Sequence, residues 1–211
     1  MLRSLYISKT GMDSSQFRLD VITNNLANVN TTGFKKGRAV FEDLMYQTIR
    51  QPGAQSSQNT MLPTGLLVGT GAAPVAVDRQ FSPGNLQQTN NALDMAINGR
   101  GFFTIQMPDG TIGYTRDGTF KLDDQGQLVT HDGMTVQGDA GPLEIGEETK
   151  YLFNDQGQLV LNGEVAGQLQ VVRFASPTRL RHVGKSLLAE TPDSGAPEAV
   201  DQPKVAVGFL E

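Results

Sequence analysis

The chain contains no cysteine, no tryptophan, only two histidines, and no apolar run long enough for a membrane span or a secretory signal. Each absence removes a class of protein. Without cysteine there is no disulfide scaffold, no thiolate metal site and no cysteine nucleophile. His131 and His182 both lie in polar turn or loop surroundings, with no acidic residue at metal-ligand spacing, so neither is read as a ligand and no metal is expected. Cations are in short supply as well: 17 Lys and Arg against 22 Asp and Glu leave a formal charge of −5. The one concentrated basic stretch, "KKGR", is too short for a phosphate-binding face, so nucleic acid is not an expected partner. The N-terminal "MLRSLYISKTGMDSSQFRLD" spreads charges and serines throughout. That excludes direct membrane insertion and a standard cleaved signal, leaving a cytoplasmic protein or one exported through an uncleaved N-terminus.

Catalytic patterns are missing too. There is no G-x-S-x-G elbow and no P-loop, and "GTG" (69–71) and "GRG" (99–101) do not continue as G-x-G-x-x-G into a helix. Asp109, Asp117, Asp123, Asp124 and Asp132 each adjoin a glycine turn, where aspartate serves the backbone and needs no ligand. The chain does not read as an enzyme, and no cofactor is expected.

What is present divides into three stretches. Residues 2–30 hold no proline and repeat Leu5, Met12, Leu19 and Leu26 at intervals of seven, with Ile22 and Val29 in the late d positions and Ser8 and Ser15 in the early ones. This is a coiled-coil seam on a long helix, and the β-rich sequence that follows offers it no continuous helical partner. The helix is expected to stop between Asn30 and Thr32, before Gly33, with Lys35, Lys36 and Arg38 following where the helix dipole favours cations. Asn24, Asn25 and Asn28 fall on its last turns, where their amides suit fixing a helix end against backbone groups.

Residues 34–91 read as an extended linker or intersubunit segment with short strands, broken by "QPGAQSSQ", "LPTG", "GTGAAP" and "SPGN". From 92 to 205, short alternating segments feed glycine turns, as in "GFFTIQMPDG", "IGYTRDG" and "TFKLDDQG". The hexamer "DQGQLV" occurs at 124–129 and again at 155–160, a repeated turn-then-strand unit. The fold class is therefore mainly β: a long N-terminal helix (1–33), the extended segment (34–91), a sandwich-like or irregular-barrel β domain (92–205), and a short return (206–211).

The motif "NNLANVNTTGFKK", then "LDMAINGRGFF" with "YTRDGTFKLDDQGQLVT", then "LLAETPDSGAP", run in order over nearly the whole chain. In that order they resemble the shared blocks of the bacterial flagellar rod and hook protein family, and the "FEDLMYQTIRQPGAQSSQNTMLPTGLLVGTGAAPV" segment looks most like the subunits of the distal rod. The resemblance implies a hollow helical homo-polymer, with contacts to other rod and hook subunits, placed in the basal body by the flagellar export apparatus without a cleaved signal. It also implies an assembly interface of Leu5, Met12, Leu19, Ile22, Leu26 and Val29 on the packed helix face. Asn24, Asn25, Asn28, Gly33 and Phe34 would sit at the helix end. Family members carry a C-terminal helix after a segment like "VAVGFLE". The sequence at hand stops at Glu211, so the N-terminal helix is expected to lack an intramolecular partner and to be poorly ordered, swapped or packed on other copies. A reading from another class is a carbohydrate-binding β-sandwich with an oligomerising helix. It predicts a concave aromatic cluster, but there is no tryptophan, and Phe102, Phe103 and Phe120 lie on strands where core burial is the cheaper explanation.

Overall fold

A computed structural model describes residues 2–52, 55–57, 60–61, 64–146 and 150–211. The chain forms two compact units, one from residues 1–28 and 36–80, the other from 29–35 and 81–211. Their boundaries fall inside the expected segments, because the residues just after the helix belong with the β domain.

The first unit contains helix α1 (Leu2–Ala27) and strands β1 (Gly37–Asp43), β2 (Tyr46–Arg50), β3 (Gln55–Ser57), β4 (Thr60–Met61), β5 (Leu66–Gly69) and β6 (Ala72–Arg79). α1 ends earlier than expected. The Asn28 backbone N–H reaches the Asn24 carbonyl at 3.2 Å, and the Asn28 side-chain amide donates to the same oxygen at 2.9 Å. An asparagine amide that competes for a helical carbonyl is a physical reason for a helix to stop there.

The expected linker is a single nested hairpin. β1 pairs antiparallel with β6, β2 with β5 and β3 with β4, so the ladder runs from Gly37 opposite Arg79 out to Ser57 opposite Thr60. Pro74, which has no N–H to give a ladder, sits opposite Phe41 at the point where the β1–β6 register slips. The proline and the "QPG" and "LPTG" breaks disguise the pairing in the sequence.

One face of α1 packs on this hairpin. Ile7, Thr10, Ser14, Phe17, Val21 and Asn25 recur at intervals of three and four and are half-buried. Phe17 meets Phe41 edge-on at 6.3 Å, and Ser14 Oγ donates to the Ala72 carbonyl at 3.5 Å. Asn25 clasps Gly37 twice, donating to its carbonyl at 2.7 Å and accepting its N–H at 2.9 Å. The expectation of a helix without an intramolecular partner is thereby corrected for this face: the hairpin supplies one, and α1 is a continuous helix.

The second unit contains β7 (Gln87–Gln88), β8 (Met95–Ile97), β9 (Phe102–Gln106), β10 (Ile112–Thr115), β11 (Phe120–Leu122), β12 (Leu128–Thr130), β13 (Thr135–Val136) and β14 (Tyr151–Phe153). It continues with β15 (Gln158–Leu161), β16 (Glu164–Gln168), β17 (Val171–Arg173), β18 (Arg181–Gly184), β19 (Leu187–Ala189), β20 (Glu198–Ala199), β21 (Val205–Val207) and β22 (Phe209–Leu210). The main sheet runs β11-β12-β13-β9-β10-β19-β18, and β17 branches from β9 to carry β20. β14, β15 and β16 form a separate antiparallel sheet. Because the main sheet branches, the described residues form no closed barrel.

The core explains the doubled apolar residues. Phe103, Val171 and Leu187 join Ile105, Phe120, Leu128, Val136 and Leu159 in the larger cluster, whereas their neighbours Phe102, Val172 and Leu188 join Tyr114, Phe174 and Leu180 in a second one. Successive residues of a strand point to opposite faces, so "FF", "VV" and "LL" mark strands covered on both.

Candidate assembly surface

The seam residues are the exposed ones. Leu5, Met12, Leu19, Ile22 and Leu26 are between 53 % and 70 % exposed, and Val29, just beyond the helix, is 69 % exposed. The five on the helix lie away from the hairpin-facing residues on the helical wheel, so the hairpin covers one mixed face of α1 and leaves this apolar stripe bare. An apolar row left bare along a helix is a candidate contact surface.

The helix-end residues serve different purposes. Asn25 fixes Gly37, Asn28 caps its own helix, and Asn24 contributes its backbone carbonyl. Gly33 adopts φ +68°, and a Cβ there would stand 2.5 Å from the Asp117 nitrogen, so both conformation and space require glycine. Its N–H donates to the Glu211 carbonyl at 3.0 Å, while Phe34 N–H donates to Thr31 at 3.3 Å. The Ser186 hydroxyl donates to Thr32 at 3.2 Å.

Beside Gly33 lies an ion cluster that sequence reading missed. Glu211, Lys35 and Arg116 all have side chains at most 7 % exposed. Lys35 pairs with one oxygen of the Glu211 carboxylate, and Arg116 Nη1 donates to the other at 2.6 Å. The Gly84 N–H adds a bond at 2.6 Å, and Lys35 Nζ also donates to the Ser82 carbonyl at 3.1 Å. Arg116 is further held by the carbonyls of Gly101, at 2.8 Å, and Gly99, with its guanidinium 5.7 Å from the Phe102 ring centre. Burial pushes the Glu211 carboxyl up, but the Lys35 bond, the Arg116 charge and the Gly84 N–H outweigh it and hold it below its ordinary value. Burial holds Lys35 below its ordinary value despite the favourable pull of Glu211. Read from sequence, Lys35 is a solvated helix-end cation. A lysine beside an apolar "GF" and an arginine in "YTRDG" give only a weak hint, because the three partners are far apart in the chain.

The aromatic residues required for a sugar site are core. Phe103 and Phe120 are 0 % and 2 % exposed and pack edge-on at 5.1 Å, and Phe102 is buried in the second cluster. The concave cluster of the carbohydrate reading is therefore not built from them. The aspartates serve turns: Asp109 Oδ1 accepts the Thr111 N–H at 2.9 Å, Asp117 that of Thr119 at 3.0 Å, and Asp123 those of Gln125 and Gln127 at 2.9 and 2.8 Å. Asp132 pairs with Lys185 at 3.2 Å. No helix among the described residues is long and apolar enough to cross a membrane.

The chain joins an N-terminal helix with a bare heptad seam, a hairpin and a β domain, and comparison with known proteins puts it among the flagellar rod and hook proteins. Residues 5–35 match the family described as flagella basal body rod protein, and residues 96–161 match the D1 domain of the flagellar hook proteins FlgE/F/G. The chain is 48 % identical over 203 residues to the flagellar basal-body rod protein FlgG of Buchnera aphidicola from Schizaphis graminum, covering 93 % of this chain and 77 % of that relative. It is 40 % identical to FlgG of Buchnera aphidicola from Baizongia pistaciae over 218 residues, covering 100 % of this chain and 82 % of that one. To FlgG of Bacillus subtilis it is 39 % identical over 228 residues, covering 100 % and 84 %. The chain belongs to the FlgG family of flagellar basal-body rod proteins.

Proposed function

We propose that this chain is a structural subunit of the distal rod, polymerising with its own copies and with other rod and hook subunits into a hollow helical shaft that carries torque from motor to hook. The observation that carries the reading is the bare seam of Leu5, Met12, Leu19, Ile22 and Leu26 on a helix whose opposite face is already covered by its own hairpin. A helix committed on one side and apolar on the other is suited to joining two layers of an assembly. The distal assignment leans on the hairpin, whose Met45, Tyr46, Ile49, Leu66 and Leu67 are exposed where the family resemblance expects contacts between subunits. The chain acts by packing and not by turnover. Export through the flagellar type III apparatus without a cleaved signal, to the periplasmic rod, belongs to the same reading.

Each seam leucine recovers roughly 1–2 kcal/mol when its exposed surface is buried, and a polymer repeats that gain at every subunit. Replacing Leu19 and Leu26 by Ser should therefore abolish rod assembly, seen as loss of the rod in isolated basal bodies. The β domain should keep its fold, because neither residue touches its core, and circular dichroism should show an unchanged strand signal. Normal rods in the double variant would remove the seam from the mechanism. Loss of the β fold would show that the seam packs on its own domain.

A further inference from the structure

Two Asn-Gly dipeptides occur in the sequence, at 98–99 and 162–163, and the fold holds them differently. Asparagine before glycine is a chemically labile link, because no side chain shields the glycine nitrogen from the asparagine side-chain carbonyl carbon. Asn98 and Gly99 follow β8 in a pinned segment. The Asn98 N–H donates to the Lys204 carbonyl at 2.8 Å, and the buried Arg116 guanidinium takes the carbonyls of Gly99 and, at 2.8 Å, Gly101. Asn162 and Gly163 instead form the two-residue turn between β15 and β16, flanked by the pair Leu161–Glu164. Their φ angles of +52° and +96° match a type I′ turn, and both residues are exposed. The Asn162 N–H donates to the Lys150 carbonyl at 3.1 Å on the entering side, while the peptide link from Asn162 to Gly163 stands at the tip. A Cβ on Gly99 or on Gly163 would meet nothing within 4 Å, so free space does not separate the two sites. Anchoring does.

We infer that Asn162 is a self-modification site of the folded chain, converting to isoaspartate, while Asn98 is protected by the Arg116 clamp. Solvent hydroxide takes the Gly163 amide proton, the nitrogen attacks Asn162 Cγ, and the Cγ–Nδ2 bond breaks to release ammonia. The cyclic succinimide so formed then takes up water: opening at Cγ gives aspartate, and opening at the backbone carbonyl gives isoaspartate. Water is gained, ammonia is lost, and nothing is oxidised or reduced. Ring closure requires the asparagine backbone to rotate until the glycine nitrogen meets the side chain. At Asn162 that rotation distorts one exposed turn, whereas at Asn98 it must pull Gly99 away from a buried guanidinium. Isoaspartate lengthens the backbone of a two-residue turn, and the register of β15 on β16 depends on that turn. The product should loosen β16, an edge strand whose Val165 is 61 % exposed, and leave Leu159 of β15 in the core. This chemistry belongs to the chain itself and stands whether or not it builds a rod.

The test ages the purified full chain at mildly alkaline pH and follows both dipeptides by peptide mass mapping, with a parallel sample in urea. Urea removes the fold, so the two sites should convert at similar rates there. In the folded chain Asn162 should convert at least about tenfold faster than Asn98. Amide exchange on the aged chain should show β16 losing protection while β9 keeps its own. Asn162→Asp supplies the carboxylate without lengthening the backbone, so β16 should stay protected in that variant when freshly made. Equal rates at the two sites in the folded chain, or faster conversion at Asn98, overturn the protection by Arg116. Conversion of Asn162 in urea but not in the folded chain overturns the site. A fresh Asn162→Asp chain as loose at β16 as the aged one overturns the account of how the modification acts.

Discussion

Gly33 and Gly11 show how one residue type answers opposite demands. Gly33 sits at φ +68° with the Asp117 backbone where its Cβ would be, so Gly33→Ala meets both a strained conformation and a clash with main chain that cannot rotate away. A loss of about 2–4 kcal/mol is expected, read as a lower urea midpoint with unchanged slope. Gly11 lies within α1, where a Cβ would meet nothing within 4 Å, so Gly11→Ala should gain up to about 1 kcal/mol from helix propensity alone. Two substitutions of identical chemistry should thus move stability in opposite directions. An unaffected midpoint in Gly33→Ala would mean that the close approach to Asp117 relaxes freely.

At the scale of elements, the repeated hexamer has a common structural cause. Asp123 and Asn154, each one residue before "DQGQLV", accept two backbone N–H groups apiece: Gln125 and Gln127 at 2.9 and 2.8 Å, and Gln156 and Gln158 at 3.0 and 2.9 Å. Gly126 and Gly157 take φ +73° and +68° in the matching turn position. Asn154→Ala should cost about 1 kcal/mol by orphaning those donors, and Asn154→Asp should be close to neutral, because Asp123 already performs the same task in the first copy. Thermal unfolding of the two variants separates a side-chain acceptor from a simple polar surface residue. This turn was legible because its chemistry is local. So were the strand-rich character, the long helix and the exposed seam, each written in spacing over a few residues. The hairpin was not, since its ladder joins residues up to 42 apart, Gly37 with Arg79, across proline and glycine breaks. The hairpin-facing stripe of α1 was hidden for another reason: Thr10, Ser14 and Asn25 take part in it, and polar residues do not register as an apolar period. Gly71 and Thr10 explain the choice, because a Cβ on Gly71 would fall 2.1 Å from the Thr10 hydroxyl, a close approach that larger side chains would block.

Over the whole molecule, charge distinguishes the two units by their response to acid. Lys35, Arg116 and Glu211 all belong to the β unit, and no counterpart of this buried cluster occurs among the described residues of the helix–hairpin unit. The Glu211 carboxyl is held below its ordinary value in the folded chain, so the stability it contributes is fully present above the ordinary carboxylate range and is lost as pH falls through the depressed folded value. The groups facing it are Lys35, Arg116 and the Gly84 N–H, and burial holds the Lys35 ammonium below its ordinary value. At the other end of the scale, burial, with Glu190 nearby, pushes the Tyr114 hydroxyl up to about 12. A raised folded value contributes stability that is complete below the ordinary tyrosine range and disappears as pH climbs through that raised value. Lowering pH from neutral to about pH 3 should therefore depress the thermal midpoint of the β unit, and Glu211→Gln should remove the part of that slope due to this group. Amide exchange resolves the units: as acid is added, protection over residues 29–36 and at β22 should fall before that of α1 against β1. The same acid slope in Glu211→Gln as in the unaltered chain would assign the acid sensitivity to groups outside the cluster.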